Sequence, residues 1–200
     1  MIRPISKQVL PIVIVLTTTL SSCWIPENFD AKVTINKDGS YAFTYDGTLT
    51  FALALAAAKE GALSAHDENE IQKEAIKMRQ EPGFKKVDYQ GKGRFRVVVE
   101  RFAKQGEPLY FVSRELQIFA IVPQPDRTIK VSGVRPKAED LKQLNEIGAN
   151  TGGTLSVSVA NGVRVLKHNA ESEPSFFGLF GSYKWQIKSP AADPIIIVQP

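Results

Sequence analysis

FDAKVTINKDGSYAFTYDGTLTFALAL, residues 29–55, decides the fold. Apolar and polar residues alternate along it with a period of two, which is the pattern of strands with one buried face. Phe29, Ala31, Val33 and Ile35 share one side, against Asp30, Lys32, Thr34 and Asn36 on the other. Residues 37–40, Lys-Asp-Gly-Ser, carry turn chemistry, so a hairpin follows. In the second arm Tyr41, Phe43, Tyr45, Leu49, Phe51, Leu53 and Leu55 fall on one face, with Gly47 in the remaining slot. A strand of that length must bend, and Gly47 is the natural place for a bulge. The alanine-rich end, 53–59, also reads as a short helix.

Working downstream, residues 67–80 predict a helix. Asp67 would cap it with Glu70 as its capping-box partner, and Ile71, Ala75 and Met78 would line its apolar face. Pro82-Gly83 ends it. Strands are expected at 84–90 and 94–104 across Gly91-Lys92-Gly93, in part of 109–122, and at 128–134. A second helix over 136–147 starts at Pro136, has Glu139 and Asp140 near its positive end, and closes at Gly148. Residues 154–159 and 163–166 read as a hairpin over Asn161-Gly162. The last core strand is 183–188, and 189–200 is a proline-bounded tail or edge strand. Runs of strands with helices set between them predict an α+β fold. The expected architecture is one mostly antiparallel, curved sheet with two helices packed on it, forming a single domain over 29–188.

Upstream, Arg3 and Lys7 precede an apolar run from Val9 to Leu20, and Leu20-Ser21-Ser22-Cys23 follows. The run is shorter than the roughly 20 residues a membrane-crossing helix needs. Its order of charge, apolar core and small residues is that of a secretory signal, over 1–22. Leu-Ser-Ser-Cys resembles the bacterial lipobox. Cleavage between Ser22 and Cys23 then leaves the chain's only cysteine as an acylated N-terminus, with 23–28 as a tether. A thiol is the strongest side-chain nucleophile at neutral pH, which suits it to that modification. The membrane is therefore the expected partner and the bacterial envelope the expected location, inner or outer membrane left open.

The composition is that of a folded chain, 43% hydrophobic and 23% charged, with a net charge of +4. Without Arg3 and Lys7 the balance is 23 basic to 21 acidic side chains. That lacks the concentrated basic footprint of a nucleic-acid binder. His66 and His168 stand far apart and in no metal-ligand spacing, and no nucleophile elbow, phosphate loop or dinucleotide fingerprint occurs. No catalytic residue, cofactor or metal is expected. Two features speak to binding. Lys85, Lys86, Lys92, Arg94 and Arg96 are candidates for lipid head groups. Phe176-Phe177-Gly178-Leu179-Phe180-Gly181 is costly to leave in water.

The order of features resembles the LppM-type bacterial lipoprotein domain. The likeness rests on the lipobox, the hairpin turn Asn36-Lys37-Asp38-Gly39-Ser40, Val-Arg-Val-Leu-Lys-His-Asn at 163–169, and the strand Tyr183-Lys184-Trp185-Gln186-Ile187. It implies an α+β domain around an apolar cavity that receives lipid or glycolipid, and no catalytic residue. The residue pattern itself offers a broad apolar face over 41–55 that the stripes of both helices could cover, and leaves open whether side chains fill it or a groove remains between sheet and helices. Phe43, Tyr45, Phe51, Leu53, Ile71, Ala75 and Met78 would line it, with Phe176, Phe177 and Phe180 near its entrance. The alternative is a tethered module with a filled core that docks another envelope protein.

Overall fold

A computed structural model describes residues 24–112, 117–133, 138–175, 181–189 and 191–200. The alternation of the opening stretch becomes the antiparallel pair β1 (Trp24–Ile35) and β2 (Tyr41–Phe51). Val33 stands opposite Phe43, and Ala31 opposite Tyr45. At the turn, Gly39 takes a φ of 78° and the Asp38 carboxylate accepts from the Ser40 hydroxyl at 2.6 Å and its amide at 2.9 Å. The expected bulge lies in β1, opposite Gly47. The register slips between Glu27 and Asp30, and Asn28 takes a φ of 48°. A Cβ on Gly47 would collide with the Cα and Cβ of Phe29.

Among the described residues nine further strands follow: β3 (Phe84–Gly91), β4 (Arg94–Ala103), β5 (Leu109–Val112), β6 (Gln117–Pro123), β7 (Ile129–Gly133), β8 (Gly153–Val159), β9 (Arg164–His168), β10 (Tyr183–Ile187) and β11 (Ile195–Gln199). They do not form the single curved sheet expected. One sheet runs β10-β8-β1-β2-β4-β3 and a second runs β5-β6-β7-β11-β9. All pairings are antiparallel except β1 with β8.

The aromatic row of the first sheet explains the second. Phe29, Tyr41, Phe43 and Tyr45 need more apolar cover than the short helices carry. The rings of Phe111 and Phe119 supply it. Phe111 lies 5.2 Å from Phe43 and 4.7 Å from Tyr45, and Phe119 lies 5.6 Å from Phe29. Such offset and tilted ring pairs are the favoured aromatic geometries.

Three sequence expectations change. The 154–166 hairpin does not form, because β8 has both edges filled by β1 and β10. The turn after β8, where the Ala160 amide donates to Ile35 O and the Val163 amide to Ala160 O, hands the chain to the other sheet. The tail supplies β11, an interior strand paired with β7 and β9, not an edge strand. Residues 24–28 are not a tether. They belong to β1, and Ile25 and Glu27 are buried. Pro26 is tolerated there because β8 pairs with β1 only from Phe29 onward, leaving that edge open.

Among the described residues the helices are α1 (Ala52–Lys59), α2 (Ala65–Gln80) and α3 (Ala138–Glu146). β2 stops at Phe51, so the helical reading of the alanine-rich end holds. In α2 the cap is Ser64 rather than Asp67. The Ser64 hydroxyl accepts from the Asp67 amide at 3.2 Å, and the Asp67 carboxylate accepts from the Ser64 amide at 3.0 Å. Glu70 pairs instead with Lys73, at 2.5 Å. Arg79 of α2 donates to Val87 O of β3 at 2.8 Å. Leu144 of α3 shares a small buried cluster with Ala52 and Leu55 of α1 and Ile25 of β1.

Candidate functional site

The apolar residues expected to line one groove fall in three places. Phe43 and Tyr45 are 0% exposed in the contact between the sheets, and the Tyr45 hydroxyl donates to Thr48 O at 3.0 Å. Ala75 and Met78 join the same buried cluster from α2, with Ile71 packed beside them. Phe51 sits at the rim of the first sheet with its ring 5.6 Å from Trp24, and Leu53 on α1 is 38% exposed. The space between the sheets is thus occupied by the protein's own rings where Phe43 and Tyr45 lie. Phe176, Phe177 and Phe180 lie outside the described residues.

An open groove of about 800 Å³ runs between α2 and β3. Its walls include His66, Lys73, Ala75, Ile76, Arg79 and Tyr89. The rest of the lining is polar, Asn69, Glu70, Gln72 and Asp88, because α2 buries only Ala75 and Met78 and turns its charged side outward. Arg79 lies 3.6 Å from Asp88, and the Tyr89 hydroxyl donates to the Glu68 carboxylate. Burial, with that hydrogen bond to Glu68 adding to it, pushes the Tyr89 phenol up to about 12.

The five basic candidates are not one patch. Lys85 and Lys86 stand at the start of β3, while Lys92 forms the tip of the β3–β4 turn. At ~3.3 Å per strand residue the two ends are roughly 20 Å apart, about twice the screening length at 0.1 M salt. Lys86 pairs with Asp88 at 3.1 Å, and Arg96 pairs with Asp46. Arg94 pairs at 3.1 Å with Glu27, whose side chain is 7% exposed. Among the described residues Lys85 and Lys92 make no ion pair.

Glu27 was invisible to periodicity and is the most constrained charge of the described chain. It accepts from the Thr50 hydroxyl at 2.8 Å and from the Asn150 amide at 3.5 Å, in addition to Arg94. It therefore ties β1 to β2, β4 and the loop before β8. Asn169 is a second clamp. Its side-chain oxygen accepts from Trp185 Nε1 and from the Ile195 amide, each at 2.8 Å, and its amide nitrogen donates to Asp193 O. The Asn and Trp that carry the family resemblance thus touch, and they join the end of one sheet to the other.

No protein-family model matches the chain, and no curated protein matches it. Cys23 and the residues before it lie outside the described residues. Among the described residues no helix is long and apolar enough to cross a membrane.

Proposed function

We propose that this chain is a lipid-anchored protein of the bacterial cell envelope, held by acyl chains on Cys23, with a non-enzymatic binding body. The observation that carries the anchor is in the sequence: a positive start, an apolar run and Leu20-Ser21-Ser22-Cys23 stand directly before strand-forming chain, whose Trp24 pairs with Phe51. Two or three acyl chains hold a body of this size stably, whereas one is marginal.

The body takes an amphiphilic ligand, a lipid or glycolipid, in the groove between α2 and the first sheet. Ile76, 57% exposed, and Tyr89 offer apolar contact there, beside the Lys73–Glu70 and Arg79–Asp88 ion pairs. The likeness to LppM-type domains points the same way. A second reading, docking of another envelope protein by a body with a filled core, is favoured by the complete burial of Phe43 and Tyr45.

Mass spectrometry of the protein extracted from its own membrane tests both parts. The N-terminus is expected at Cys23 with diacylglycerol attached, and native spectra are expected to carry an extra lipid mass that Ile76→Asp removes. A chain starting at Met1 with a free thiol overturns the anchor. An acylated protein without any extra mass leaves the docking reading.

A further inference from the structure

Three features meet at the end of the first sheet where β1 begins. The Trp24 ring touches Phe51 at 5.6 Å and Phe95 at 5.3 Å. The Phe51 amide donates to Gly93 O at 2.8 Å, so the β3–β4 turn sits beside the start of α1. A Cβ on Gly93 would collide with the Cβ of Ala54, which is how closely turn and helix approach. The turn is rigid. Lys92 holds a φ of 52°, its amide donates to a Glu68 carboxylate oxygen at 3.0 Å, and the Gly93 amide donates to the Tyr89 hydroxyl at 3.1 Å. The Lys92 side chain is exposed, and Leu53 stands 38% exposed next to Ala54.

Resting on the anchor reading above, we infer that this rim, made by Trp24, Leu53 and Lys92, lies against the phospholipid surface that holds the Cys23 acyl chains. The occupant follows from the position of the anchor in the sequence. Position 23 adjoins Trp24, so no linker separates the acylated residue from the rim. A Trp ring suits the boundary between head groups and acyl chains, having both an apolar body and an N–H donor. An exposed leucine beside it adds apolar contact, and the ammonium of Lys92 matches lipid phosphate. The body then stands on the membrane in one orientation. Its α2 groove opens beside the bilayer, because Glu68 near the start of α2 and Tyr89 of the groove wall both bond to the same turn.

The test uses the acylated full chain in phosphatidylcholine vesicles, with and without phosphatidylglycerol, carrying a phospholipid brominated near the top of its chains. Trp185 is 4% exposed in the interior and acts as the internal reference, so quenching reports Trp24. Quenching is expected in the wild type and expected to fall in Leu53→Asp. On the anionic vesicles Lys92→Glu is expected to lower docking roughly fivefold per charge removed. Phe102→Asp is the folding-matched control. Phe102 is 81% exposed at the opposite end of β4 and should leave the signal unchanged. Equal emission in brominated and plain vesicles, or equal quenching in wild type and Leu53→Asp, overturns the inference. The N-terminal mass separates the two failures. An acylated, vesicle-bound protein without quenching sinks the rim alone, and a chain without acyl groups sinks the anchor beneath it.

Discussion

Removing either partner of the Glu27–Arg94 pair should cost stability unequally, with Arg94→Leu the worse. Glu27 is 7% exposed and Arg94 33% exposed at the side chain. Arg94→Leu strands a buried carboxylate that keeps the Thr50 hydroxyl and the long Asn150 contact. Breaking a buried pair in that way costs about 3–5 kcal/mol. In Glu27→Gln the amide oxygen still accepts from Thr50, and the guanidinium can turn toward water. Only a charge-assisted hydrogen bond is lost, about 1.5–3 kcal/mol, less what Arg94 regains by hydration. The gap should therefore be on the order of 2 kcal/mol, and the double variant should cost less than the two singles summed. Urea denaturation of the detergent-solubilised chain, followed by circular dichroism, measures all three. If 24–28 were a free tether, each change would stay within roughly 0.5 kcal/mol, as for ordinary surface sites. That result, or equal costs for the two singles, refutes the placement of Glu27 in the sheet.

Gly47→Ala and Gly153→Ala should each destabilise by about 1–3 kcal/mol or more through overpacking, since each new Cβ would strike Phe29 from a neighbouring strand. That outweighs the ~0.5–1 kcal/mol an alanine ordinarily gains over glycine inside a strand, and the same denaturation measurement gives the sign. A chain ended after Ser189 should fail to fold, seen as loss of near-ultraviolet dichroism, because it removes Ile196 and Val198, both 0% exposed, strips β7 of one of its two partners and detaches β9 from the sheet. The Tyr89 phenol holds its proton more tightly folded than unfolded, so its contribution is whole below the ordinary value of 10 and is lost as pH rises toward 12. Absorbance titration should find tyrosinate forming later in the native chain than in the unfolded one, and Tyr89→Phe should remove part of that delay.

The fold was legible where burial is one-sided. Residues 29–51 alternate because one face of the pair meets a core and the other meets water, and the register follows from that face alone. The two-sheet arrangement was not legible, since alternation states that a face is buried and not what buries it. The same limit hid the fate of 154–166. Asn161-Gly162 favours a reversal, but which sheet receives the next strand depends on edges filled by residues far away in sequence. Ser64 does not stand out as a cap in the sequence because Asp67 and Glu70 form an equally good local pattern three residues on, and only the start of the helix decides between them. Glu27 and Asn169 act through partners 67 and 16 residues away, and spacing along the chain carries no trace of such pairs.

The filled core changes where any ligand must go. A side chain at 0% exposure gives a lipid nothing to touch unless the sheets part, and separating Phe43 and Tyr45 from Phe111 would forfeit aromatic contacts worth about 0.5–1.5 kcal/mol each beyond the area they bury. Surface grooves ask no such opening. Tyr89 of the α2–β3 groove accepts from the Gly93 amide in the turn that carries Lys92, and that turn bonds to Phe51, the residue opposite Trp24. With the rim docked as proposed, an amphiphile leaving the bilayer would meet the groove without crossing the sandwich. On this geometry, Ile76→Asp should abolish ligand carriage while leaving Phe43 and its neighbours, and hence the stability of the body, untouched.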